Sequence, residues 1–171
     1  MKFSKNGQVW IETVIYTLVA IALIGLVLAF ATPKINKDKD KAVVEQTIDS
    51  LNKFDSKIQD SLGTPGNRRV VDFTMKRGEL YIVSEDNKIV FVLNDLSEPY
   101  SEPGIDVEIG RIVARSAKGQ KYSSINLTLS YDSLADITFN GKEETKKFNP
   151  SSVPYKISIF YGGNNVSIGE V

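Results

Sequence analysis

The chain's acid–base chemistry would have to come from its 21 Asp and Glu side chains, because it contains no His and no Cys. Lack of imidazole removes the commonest general base and the commonest zinc ligand. Lack of thiol removes disulfides, thiolate nucleophiles and Cys-ligated metals. No carboxylate pair has a local spacing that marks a glycosidase site. Glu85-Asp86-Asn87 could touch calcium, but it lacks the regular ligand spacing and the glycine of an EF-hand, and it reads as a charged hairpin tip. Gly162-Gly163 falls between two strand-like runs, so it is a turn rather than a phosphate cradle opening a helix. The composition argues against an enzyme and implies no metal or cofactor. The 21 basic residues balance the acids to a net charge of zero, which gives nucleic acid no electrostatic hold.

One carboxylate is out of place. Glu12 lies inside an almost wholly apolar run from Val9 to Ala31, and a carboxylate in such a setting by default marks function or a partner. The run would form a helix of roughly 35 Å, enough to cross a bilayer core. Lys2 and Lys5 before it favour a cytoplasmic N-terminus, with everything after residue 33 outside. Three readings compete. A secretory signal cleaved at Ala29-Phe30-Ala31 would release a domain beginning at Thr32, although signal apolar regions span only about 7–15 residues. An uncleaved anchor is the second reading. Neither explains Glu12.

The string Lys5-Asn6-Gly7-Gln8-Val9-Trp10-Ile11-Glu12 resembles the class III signal peptides of archaeal type IV pilin-like proteins. That resemblance implies a prepilin peptidase cutting between Gly7 and Gln8, which makes Gln8 the first mature residue and Glu12 the fifth. Trp10 and Tyr16 stand where the family has Ser and Leu. It also implies self-association into a helical filament, where Glu12 of one chain faces the terminal amine on Gln8 of a neighbour. A pair of this kind contributes little net stability, but a partner left alone is heavily penalised, so it fixes register. Ala22, Gly25 and Ala29 recur at intervals that place them on one helix face, where small residues allow close approach between apolar helices.

The elements that carry these residues follow from periodicity. Pro33 should end or kink the first helix, and Lys34 to Lys41 is a mixed charge run expected in solvent. Val44, Ile48, Leu51, Phe54, Ile58 and Leu62 then give an amphipathic helix that docks on a sheet, stopped by Gly63 and Pro65-Gly66. Its polar face carries Asp49, Lys53, Asp55, Lys57 and Asp60. From Arg68 the pattern is β. It has a strand through Val70–Met75 and a hairpin of Glu79–Ser84 with Lys88–Leu93. Long strands follow at Ile105–Arg115 and Lys121–Tyr131. Two more hairpins turn at Asn140-Gly141 and at Gly162–Asn165. Two N-glycosylation sequons fall here, at Asn126 and Asn165.

The expected protein is α+β. It comprises a leader (1–7), a transmembrane or filament-core helix (8–32), an amphipathic connecting helix (33–63) and an extracytoplasmic antiparallel β domain (64–171). Sandwich and single curved sheet both remain open. The expected function is a structural subunit of a pilus-like filament at the cell surface, held in the membrane before assembly. The alternative is a monomeric membrane-anchored module that binds a solute or surface partner through the β domain.

Overall fold

A computed structural model of the chain describes residues 5–171, with helix side chains from Trp10 onward. Residues 1–4 of the expected leader lie outside the described residues, as do the side chains at Gly7 and Gln8. Two compact units are present, Met1–Lys39 and Asp40–Val171.

One helix, α1 (Lys5–Leu62), contributes to both units. Pro33 lies inside it and does not end it. A proline removes one backbone hydrogen bond, here the one its amide would give Ala29, and good helix-forming sequence on both sides carries the helix through. The apolar stripe is where its spacing places it: Val44, Ile48, Leu51, Phe54 and Ile58 are buried, and Leu62 is partly so. Gly63 N donates to Gln59 O at 3.2 Å to close the last turn.

Ten strands follow: β1 (Arg68–Phe73), β2 (Glu79–Val83), β3 (Lys88–Leu96), β4 (Asp106–Ile109), β5 (Ile112–Lys118), β6 (Ser123–Ser130), β7 (Asp136–Phe139), β8 (Thr145–Phe148), β9 (Tyr155–Tyr161) and β10 (Asn165–Glu170). They form two sheets, ordered β1-β9-β10-β7 and β4-β5-β6-β3-β2-β8. Both sheets and the α1 stripe share a single apolar core. Aromatic contacts join the sheets: Phe148 of β8 packs on Phe139 of β7 and on Tyr155 of β9, with ring centroids 6.1 and 5.1 Å apart. Phe54 of α1 sits 6.1 Å from Phe73 of β1. In β6, strict alternation buries Ile125, Leu127 and Leu129 and leaves Asn126 and Ser130 in solvent.

Three strand expectations are corrected. Ile105–Arg115 is a hairpin, not one strand: β4 turns into β5 at Gly110-Arg111, where Gly110 takes φ +64° and Ile109 pairs with Ile112. Asn140-Gly141 does make a two-residue turn, with φ +51° and +76° and reciprocal Phe139–Lys142 bonds of 2.9 Å. Its arms then part, β7 joining the four-stranded sheet and β8 the six-stranded one. The buried rings of Phe139 and Phe148 hold that separation. Finally, β7 runs parallel to β10 in an otherwise antiparallel domain.

Candidate functional site: the apolar helix and its buried carboxylates

From Trp10 to Phe30 the large apolar side chains of α1 face outward. Trp10 is 72% exposed and Phe30 75% exposed, with Leu18, Ile21, Leu23, Ile24, Leu26 and Leu28 between them all exposed. Apolar surface removed from water stabilises by about 25 cal/mol per Å², so a run like this demands a cover. By length and composition α1 is able to cross a membrane, which fits a membrane anchor or a signal sequence. Glu12 is exposed on this run. Ala22, Gly25 and Ala29 are exposed on it too, and a Cβ at Gly25 would meet nothing within 4 Å, so that face is open to another helix.

Two carboxylates that were expected in solvent are buried instead. Asp40, from the charge run, is 9% exposed. Its Oδ1 accepts from Arg77 Nη1 at 2.6 Å; its Oδ2 accepts from the Ser97 amide at 2.7 Å and the Ser97 hydroxyl at 2.6 Å. Arg77 also donates to the Asp95 carbonyl at 3.1 Å. Asp95 takes φ +59° at the irregularity between Leu93 and Leu96, and this break in the ladder brings Ser97 to Asp40. Burial alone would raise the Asp40 carboxyl, but the Ser97 hydroxyl, the Arg77 guanidinium and the Ser97 amide outweigh it and hold it below its ordinary value.

Asp55 is 8% exposed, and its Oδ1 accepts from the Tyr131 hydroxyl at 2.7 Å. Arg111 Nε lies 3.3 Å from its Oδ2, and the guanidinium sits 5.4 Å from the centroid of the Tyr131 ring. Burial, and then the Asp55 charge, push the Tyr131 hydroxyl well above the normal phenol range, so it stays protonated and keeps the hydrogen it donates to Asp55. Charge-assisted bonds of this kind are about twice as strong as neutral ones. Asp40 and Asp55 therefore key the Asp40–Leu62 segment of α1 to the β domain by directional bonds beside its buried apolar stripe. The signal for both was in the sequence: Asp40 precedes Val44 by one turn, and Asp55 falls between Leu51 and Ile58 in the same phase.

The remaining candidates are structural or exposed. In the Glu85-Asp86-Asn87 tip, Asp86 pairs with Lys88 at 3.8 Å, and Asn87 Oδ1 accepts from the Ile137 amide at 2.7 Å, joining one sheet to the other. Among the described residues no cluster of three or more Asp or Glu side chains could hold a metal. Asn126 is exposed on β6; Asn165 is half-buried where β10 opens, its carbonyl accepting from Gly162 N at 3.3 Å. Comparison with models of known families, with characterised proteins and with solved structures returns no match.

Proposed function

We propose that the chain is a structural subunit of a pilus-like surface filament of the archaeal type IV kind. It is held in the membrane by residues 8–32, trimmed after Gly7 by a prepilin peptidase, and assembled through the same helix. The carrying observation is the exposed apolar face of α1 from Trp10 to Phe30, on a helix whose later turns are keyed to a β domain. A membrane covers that face before assembly, and the helices of other copies cover it afterwards.

Three features support this above a plain anchor. Gly7-Gln8 follows a lysine-bearing leader, Glu12 sits one turn beyond it, and Ala22, Gly25 and Ala29 give neighbouring helices a close approach. Anchoring alone would require none of them. In the filament the Gln8 amine and Glu12 of adjacent copies neutralise each other in an apolar setting, and the β domain forms the outer surface. The function is mechanical and displaying rather than catalytic. The mature N-terminus tests the reading, since trimming between Gly7 and Gln8, ahead of the apolar run, exposes Gln8, whereas cleavage after Ala31 exposes Thr32.

A further inference from the structure

The six-stranded sheet ends in two open strands, β4 at one edge and β8 at the other, each four residues long. Among the described residues no backbone hydrogen bond from a turn or loop reaches either strand. An open edge presents unpaired N–H and C=O groups and is a template for another strand. Here the two edges are complementary in three respects.

The first is register. Val107, Ala114, Leu127, Phe91, Leu80 and Phe148 are successive cross-strand partners and form one straight row over all six strands. The next row begins at Glu108 and ends at Lys147, on the opposite face. The second is direction. Every pair in this sheet is antiparallel and the strand number is even, so β4 and β8 run in opposite senses. A second copy's β8 laid along β4 continues the alternation of hydrogen-bonded and non-hydrogen-bonded pairs in phase. The third is charge. Asp106 and Glu108 lie on β4, whereas Lys146 and Lys147 lie on β8. Like edges would set acid against acid or lysine against lysine, and only unlike edges attract.

We infer that β4 of one copy pairs with β8 of a second copy in straight register, so that the sheet continues from subunit to subunit. Val107, the only member of its row more than a third exposed, then lies opposite the second copy's Phe148 and loses exposure to the added strand. Glu108 forms no ion pair among the described residues and meets the second copy's Lys147, whose side chain is 43% exposed although it holds Glu79 at 2.7 Å. The contact joins unlike surfaces, so it propagates instead of closing into a two-fold dimer. It rests on the filament reading for its partner, a second copy of this chain.

The natural absence of Cys makes the test clean. Directly opposed residues in an antiparallel pair bring their Cβ atoms within disulfide reach. Full-length chain carrying Glu108→Cys and Lys147→Cys together, recovered from cells with its filaments and treated with a mild oxidant, should run as a ladder of reducible multimers on non-reducing electrophoresis. Each single variant should stay monomeric, and the two single variants mixed should stop at dimer. If sedimented filaments with Gln8 at their N-terminus give no ladder from the double variant, the edge pairing is overturned and the filament reading stands. A ladder from chain whose N-terminus is not Gln8 upholds the edge pairing and removes the pilin-like reading instead.

Discussion

Tyr131 donates its hydroxyl hydrogen to Asp55 Oδ1 across 2.7 Å, joining the residue that follows β6 to a turn of α1 distant in sequence, and both side chains are buried. Tyr131→Phe removes the donor and leaves the carboxylate to Arg111 and to a longer 3.5 Å bond from the Gln59 amide nitrogen. Loss of one partner of a buried charged group costs about 1–3 kcal/mol. Thermal unfolding of the full chain in detergent should show a lowered Tm for this variant. Tyr81→Phe, which alters a half-buried hydroxyl bonded to Glu79 at the sheet's outer part, should change it less.

Asp40 gives stability a dependence on pH. Ser97 and Arg77 hold its carboxyl below its ordinary value in the folded chain, so the folded state favours the deprotonated form. That contribution is complete above the ordinary carboxylate range. It is lost as the pH falls through that range and then through the lower folded value. Asp40→Asn should therefore be less stable than wild type at neutral pH, and the difference should shrink on acidification. Urea midpoints measured at neutral and acid pH read this directly; a difference that grew at low pH would reverse the sign.

Gly78 is sealed between β1 and β2 by its neighbours. It takes φ +84°, and a Cβ there would run into the Phe91 ring and come within 2.8 Å of the Val92 carbonyl oxygen. Gly78→Ala combines backbone strain with overpacking and should destabilise by about 1–3 kcal/mol, seen as a lower denaturation midpoint. Gly104→Ala should be milder, since it shares a positive φ but a Cβ there meets nothing within 4 Å.

Glu12→Ala separates processing from assembly. Under the proposed filament function the substitution leaves Gly7-Gln8 intact, so trimming should proceed, and the charged amine on Gln8 should then lack a carboxylate to meet. A lone charge in an apolar setting costs about 3–5 kcal/mol, enough to abolish a register. Filaments sheared from cells should be lost while mature subunit accumulates in the membrane. Undiminished filaments would remove this role for Glu12.

Much of the fold was legible because it rests on local period. The α1 stripe from Val44 to Leu62, the Glu79–Leu93 hairpin and the β6 alternation follow from spacing alone. What was not legible depends on distant partners. Asp40 and Asp55 fall in phase with the apolar stripe, but what satisfies them was hidden, because Arg77, Ser97, Tyr131 and Arg111 come from elsewhere in the chain. The parting of β7 from β8 is equally non-local: the turn at Asn140-Gly141 is set by its own backbone, but the sheet each arm joins is set by β10 and β2. Gly110 hid a hairpin because an apolar, β-branched stretch surrounds it. For the candidate site, the sequence singled out Glu12 and the small-residue face, which the structure leaves exposed, and the structure added how the later turns of the same helix are fixed to the β domain.

Filament assembly of the proposed kind depends on a cut between Gly7 and Gln8. Edman degradation or terminal-peptide mass spectrometry of the mature protein, isolated from the envelope or from sheared surface material, reads it in one step. A processed pilin-like subunit should begin Gln8-Val9-Trp10. A chain beginning at Thr32 would mean that the apolar helix is discarded, and an intact Met1 would mean a plain anchor; either result contradicts the account.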